Sequence, residues 1–196
     1  MQVLPENAVR IIQALARQPS LGLDTETYGL GELDRLFAII IATDKESFYF
    51  NFNPGPDHLG NLLPSCMVLD MDELRPHFFA LFGKKEITWY IHNAKFDMQK
   101  LLLEGFLLAG TVHCTMAIER LLDNTAFSLS LDATAPKYGF EKSSQVDAYR
   151  KRHRGVAFHE IPFAIMRDYG TLDGRLAYDI GVRQREMILS ELEQSI

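Results

Sequence analysis

The sequence predicts a single α/β domain, residues 1–196, with a mixed sheet covered by helices. Three observations lead to that class. A chain of 196 residues can build one well-cored domain and does not require two. Three strand-like apolar runs follow one another near the N-terminus, and helix-like and strand-like runs alternate after them, an order that gives a meander extended into a mixed α/β sheet. A hydrophobic content of 47% with 23% charged residues is the ordinary balance of a globular protein in water.

The elements follow in chain order. Pro5 suits a first helical turn, Val9, Ile11, Ile12, Leu15 and Ala16 form its apolar stripe, and Pro19 stops the helix. Residues 21–26 read as the first strand, and Tyr28-Gly29-Leu30-Gly31 as a flexible turn. The continuous apolar run 36–43 reads as a buried strand, and the aromatic-rich run 47–52 as a third. Asn53-Pro54-Gly55-Pro56 opens a loop. Asp70 or Asp72 can cap a helix through Phe78, Leu81 and Phe82 that Gly83 ends. Residues 87–91 make the fourth strand, and Asn93 caps a helix that Gly105 stops. Val112 opens a short strand, followed by a helix over about 115–122. Short helices are expected around Ala133 and Val146. The last stretch, from about 162 to 192, reads as two helices meeting near Tyr169-Gly170 and running toward Ile196. There is no internal repeat and no low-complexity segment.

A net charge of −6 argues against a protein that coats nucleic acid by bulk electrostatics. It leaves room for a nucleic-acid enzyme whose acidic pocket is neutralised by metal. Cys66 and Cys114 lie far apart in no Cys-x-x-Cys pattern, which fits two buried thiols in a reducing compartment and offers no zinc site. Residues 1–17 carry Glu6 and lack a basic start followed by an apolar core, so they are not expected to be a signal peptide, and no apolar run approaches the roughly 20 residues of a membrane span. The expectation is a cytoplasmic protein, or one of the host cytoplasm if phage-encoded, with no membrane partner.

The chemistry is concentrated first in Asp24-Thr25-Glu26. On a strand, side chains at i and i+2 share a face, so Asp24 and Glu26 stand side by side at a strand end. Two such charges repel unless a cation lies between them, and hard divalent ions take carboxylate oxygens. Asp97 sits in a first helical turn, one turn beyond Asn93, where the helix dipole favours its ionised form. Tyr169 and Asp173 are likewise one turn apart on a late helix and can converge on one point.

Asp-x-Glu ending a strand, His92-Asn93-Ala94-Lys95-Phe96-Asp97 opening a helix and Tyr169-Gly170-Thr171-Leu172-Asp173 in a late helix resemble, in that order, the three motifs of the DnaQ-like 3′–5′ exonucleases. The match is to their tyrosine-containing DEDDy branch, and is nearest to the proofreading domain of family A DNA polymerases. The resemblance spans residue 21 to about 182. It implies a ribonuclease H-like fold, a five-stranded mixed sheet flanked by helices. It implies that Asp24, Glu26, Asp97 and Asp173 hold two divalent metal ions, Mg²⁺ or Mn²⁺, that Tyr169 orients the attacking water, and that Leu30 and Phe96 wedge or stack near the terminal base. Thr25 and Asn93, within the motifs, join the substrate-binding set. Two metals roughly 3.5–4 Å apart activate the water and stabilise the leaving 3′-oxygen in such sites. Two departures stand out: Cys114-Thr115 replaces a common Asp-Thr pair, and Gly170 replaces a common Ala, which suggests a bend.

The function implied is hydrolysis of DNA from the 3′ end to nucleoside 5′-monophosphates, in proofreading or replication. The expected partners are single-stranded DNA or frayed 3′ ends, and a polymerase subunit or a separately encoded polymerase region. An exoribonuclease of the RNase D type uses the same motifs, and a non-cleaving domain that binds DNA ends or a polymerase is the third alternative. The basic run 150–154, with Arg150 and Arg152 foremost, can contact strand phosphates or be a solvated loop. Trp89, Tyr90, Phe78, Phe79 and Phe82 fit the core. His92 and His113 flank strand ends near the site, and His159 can approach it.

Overall fold

The computed structural model describes residues 1–194. Two consecutive antiparallel pairings and two parallel ones account for its sheet. Strands β1 (Ser20–Thr27), β2 (Leu36–Ala42) and β3 (Ser47–Asn51) form the meander, and β4 (Thr88–Ile91) and β5 (Thr111–Cys114) add in parallel to β1. Among the described residues the sheet has five strands in the order β3-β2-β1-β4-β5. Helix α1 (Pro5–Leu15) precedes it; α2 (Met71–Phe82) and α3 (Ala94–Leu103) bracket β4; α4 (Thr115–Leu122), α5 (Leu131–Thr134), α6 (Gln145–Arg152) and α7 (Phe163–Gln194) follow β5. This is a ribonuclease H-like α/β arrangement.

The period of two along each strand decides what lies on each side. Leu21, Leu23, Ile39, Ile41, Phe48, Phe50, Trp89 and Ile91 point into the main core with Ile12, Leu15, Phe78, Phe82 and Leu101. Ala38, Ile40 and Tyr49 point the other way, into a smaller core with Ile161, Phe163 and Met166. By the same alternation Gly22, Asp24 and Glu26 face α7, and Thr25 faces α3.

Helix α7 is one continuous helix of 32 residues, not two meeting at Tyr169-Gly170. The glycines there serve close approach. A Cβ at Gly170 would stand 3.0 Å from both Glu26 Oε1 and Tyr49 Cε2, one at Gly174 2.7 Å from Ile40 Cγ2, and one at Gly181 2.2 Å from Tyr90 Cδ1. The helix lies against β1, β2 and β4 because these positions lack a side chain. The continuation toward Ile196 falls outside the described residues.

Smaller expectations also shift. Asp70, not Asp72, caps α2, accepting from the backbone N–H groups of Asp72 (2.8 Å) and Glu73 (3.3 Å). Asn93 precedes α3 in the left-handed region, φ 58°, and its side chain makes no capping bond; Asn tolerates that conformation better than most residues. Neither thiol is buried: Cys66 is exposed on the short 3₁₀ turn Ser65–Met67 and Cys114 is half-buried. Trp89, Tyr90, Phe78 and Phe82 are core as expected, whereas Phe79 is 48% exposed.

Candidate active site

Parallel strands β1 and β4 are paired only from Ser20↔Thr88 to Leu23↔Ile91. Beyond that register β1 continues through Asp24, Thr25 and Glu26 while the chain after β4 turns into α3. A crevice therefore opens past the carboxyl ends of adjacent strands, the usual ligand position in open α/β sheets. It is a cavity of about 190 Å³ lined by Asp24, Thr25, Glu26, Thr27, Gly29, Leu30, Phe96, Phe158, Tyr169 and Asp173. Larger cavities of about 540 and 410 Å³ lie elsewhere and contain none of these carboxylates.

Three elements deliver the acidic groups. Strand β1 carries Asp24 and Glu26 on its α7-facing side. Helix α7 carries Tyr169 and Asp173 one turn apart. Asp97, in the first turn of α3, lies buried beside Thr25, whose hydroxyl donates to its Oδ1 at 2.7 Å. The sequence-derived set of four carboxylates and one tyrosine is thus brought to one place.

Their electrostatics follow from burial and crowding. Burial, then the charges of Asp97, Glu26 and Asp173, pushes the Asp24 carboxyl well above its ordinary range. Glu26 is raised in the same way by burial, Asp173 and Asp97. Burial lifts Asp97 to about 7, against the opposing hydrogen bond from Thr25. Burial lifts Asp173 to about 6, against the pull of Lys142. The Tyr169 phenol is raised by burial and by Asp173, Glu26 and Asp24, so it stays protonated.

The donor set fits hard divalent cations. Glu26 Oε1 and Asp173 Oδ1 are buried without a hydrogen-bond partner, and a buried carboxylate oxygen needs either a donor or a cation. Among the described residues, no three His, Cys, Asp or Glu side chains converge closely enough, as they stand, to cage a metal ion. Asp97 is engaged by Thr25 and Asp173 by Lys142 Nζ at 3.1 Å.

The expected substrate contacts divide. Leu30 projects from the loop after β1, 83% exposed, at the cleft mouth. The loop that carries it is tied to α3 by Lys100, fully buried one turn beyond Phe96, which donates to Gly31 O and stands 4.9 Å from the Phe96 ring centroid. Arg150 on α6 reaches the site indirectly: its guanidinium lies 4.8 Å from the ring centroid of Phe158, a cleft-wall residue. Asn93 and Arg152 are exposed and do not line the cleft. His159 packs on Tyr28 with centroids 5.0 Å apart, and His113 pairs with Gln184 at 3.1 Å.

Support behind the site survives the Cys114-Thr115 substitution. The buried Thr115 hydroxyl is 2.9 Å from His92 Nδ1, and His92 Nε2 is 2.9 Å from Leu129 O. Cys114 Sγ accepts from the Ala94 N–H at 3.4 Å, a weaker anchor for the start of α3 than a carboxylate. Sequence reasoning missed Lys142, Lys100 and Phe158. Isolated lysines and phenylalanines carry no pattern.

A profile of the 3′–5′ exonuclease family matches residues 5–180. The chain belongs to that family, as a DnaQ-like domain of the DEDDy type. Solved structures of like fold include Escherichia coli RNase D, an exoribonuclease involved in structured RNA processing, at 15% identity, TM-score 0.62, with 98% of this chain covered and 45% of that one. Brucella melitensis NrnC, also seen bound to pGG, is 16% identical, TM-score 0.62, covering 90% and 76%. Pol1 from M. smegmatis, in complex with DNA primer-template and dNTP, is 15% identical, TM-score 0.67, covering 97% and 28%. The chain thus spans less than half of RNase D and of Pol1. No curated protein matches the sequence. No helix among the described residues is long and apolar enough to cross a membrane.

Proposed function

We propose that the chain is a divalent-metal-dependent 3′–5′ exonuclease that removes nucleoside 5′-monophosphates from single-stranded RNA ends. One observation carries the reading: Asp24, Glu26, Asp97 and Asp173 crowd the carboxyl end of the central strand, with buried, unpartnered oxygens on Glu26 and Asp173. Such an arrangement is destabilising unless cations are bound. When bound by these four carboxylates, two such ions supply charge stabilisation at the attacking and leaving oxygens of an in-line displacement.

The chain's own groups supply the rest. Tyr169 keeps its proton and so can hold the attacking water by donating one hydrogen bond and accepting another. Leu30 and Phe96 flank the mouth and can separate or stack the terminal base, for which base–aromatic stacking is worth about 1–3 kcal/mol. Phe158 also lines the cleft, with the Arg150 guanidinium 4.8 Å from its ring centroid, so an upstream nucleotide can stack there and its phosphate meet a cation.

RNA is placed first because the solved neighbours include an enzyme described as an exoribonuclease. A DNA substrate, in proofreading beside a separate polymerase, is the second reading. It is favoured by the motif resemblance and by the fold shared with Pol1. The test uses matched 5′-labelled RNA and DNA strands of one sequence with Mg²⁺ or Mn²⁺. Faster stepwise shortening of RNA supports the first reading, and faster shortening of DNA supports the second. No shortening of either, with no metal bound, returns the non-cleaving, end-binding alternative.

A further inference from the structure

One cation reaches Asp173 and Tyr169 from a segment that carries no motif. Lys142 Nζ lies 3.1 Å from Asp173 Oδ2 and 3.2 Å from Tyr169 Oη, 4.9 Å from the Tyr169 ring centroid, and 3.5 Å from Asp132 Oδ1. Its side chain is 12% exposed. The ammonium is held between the carboxylates of Asp173 and Asp132, and one placed this deeply persists only when paired.

Two consequences follow for the site. Lys142 donates to the Tyr169 oxygen and occupies one of its acceptor positions, so the phenol O–H is turned toward other acceptors, Asp173 among them. The charge balance also changes. Four carboxylates against two divalent ions sum to zero; Lys142 adds +1 beside them, which Asp132, 3.5 Å away but 66% exposed and so screened by water, offsets only in part.

We propose that Lys142 is a positioning residue of this site: it ties Asp173 to Tyr169, and it supplies the single positive charge by which the cation-loaded carboxylates attract an anionic phosphodiester. The ligand class rests on the exonuclease reading above. While no divalent ion is bound, the ammonium stands in for one at Asp173, so an incoming ion must share that carboxylate with it.

The experiment compares the wild-type chain with Lys142→Met and Lys142→Arg. The probes are Mn²⁺ alone, and a single-stranded oligonucleotide with a 3′-terminal phosphorothioate linkage in the presence of Mn²⁺. Lys142→Met should weaken oligonucleotide binding about tenfold, as loss of one charge-assisted contact does. It should also reduce the slope of log affinity against log salt by about 0.7, the share of one phosphate contact on a single strand. KM should move more than kcat. Lys142→Arg should recover most of the binding. Mn²⁺ should bind Lys142→Met more tightly than wild type, because Asp173 is no longer shared. A Lys142→Met protein that melts earlier but keeps the wild-type salt slope and Mn²⁺ affinity would make Lys142 a structural ion pair and overturn the proposal. If wild type binds no oligonucleotide at all, the exonuclease reading fails instead. The Mn²⁺ arm then judges Lys142: tighter binding by Lys142→Met supports it, and equal or weaker binding refutes it.

Discussion

In the presence of a chelator, Asp97→Asn should stabilise the protein at pH 8 although it removes a group the proposed chemistry needs. Asp97 is 3% exposed. Burial raises its carboxyl from an ordinary 3.8 to about 7 even with the Thr25 hydroxyl bonded to it. Between those two values the folded chain keeps a proton that the unfolded chain has released. The contribution is fully present below about pH 4 and is lost as pH rises through about 7. At about 1.4 kcal/mol per pKa unit, the ionised carboxyl costs roughly 4 kcal/mol by pH 8. The amide never ionises, and its oxygen can still accept the bond that Thr25 makes at 2.7 Å. The variant should therefore equal wild type near pH 4 and exceed it by up to roughly 4 kcal/mol at pH 8. For a domain of this size that is roughly 8–16 °C in melting temperature. Urea denaturation in EDTA across pH 4–9 measures the gap directly. Saturating Mg²⁺ should shrink or reverse it, since only wild type gains full stabilisation from a ligand bound to the folded state. A variant less stable than wild type at pH 8 in EDTA, or a gap that ignores pH, would refute the reasoning.

Other outcomes test separate parts of the structure. Tyr169→Phe should lower kcat by roughly 10²-fold with a near-normal melting temperature; full turnover would remove the tyrosine from the mechanism. Gly181→Ala should destabilise by about 1–3 kcal/mol despite the helix propensity gained, because the added Cβ would lie 2.2 Å from the buried Tyr90 ring. An unchanged urea midpoint would contradict the close seating of α7 on β4. Leu30→Ala should leave stability within about 0.5 kcal/mol, since the side chain is 83% exposed, while raising KM for oligonucleotides. A KM equal to wild type would take Leu30 out of strand binding.

Much of the fold was written in local pattern. The runs Leu21–Leu23 and Leu36–Ala42 are apolar without interruption because β1 and β2 are buried on both faces. The carboxylates were legible because i, i+2 on a strand and i, i+4 on a helix each encode one face. What escaped depends on approach between distant elements. Gly170, Gly174 and Gly181 read locally as places where a helix weakens, yet the sheet passing beneath them is what excludes a side chain. Lys142 meets Asp173 and Tyr169 across 31 and 27 residues, a separation over which no period carries information. Lys100 sits on the motif helix itself, but its partner Gly31 belongs to a loop 69 residues earlier. Cys66 was expected inside from its residue type, and the long surface loop that carries it decides otherwise.

The central claim is that Asp24, Glu26, Asp97 and Asp173 make one hydrolytic site acting at 3′ ends. The most direct measurement follows 3′-labelled single strands, RNA and DNA, with Mg²⁺ or Mn²⁺, for wild type and for Asp24→Ala combined with Asp97→Ala. Wild type should release labelled nucleoside 5′-monophosphate as the first product, EDTA should abolish the release, and the double variant should release none. Persistent degradation by the double variant, or first products longer than a mononucleotide, would contradict the account.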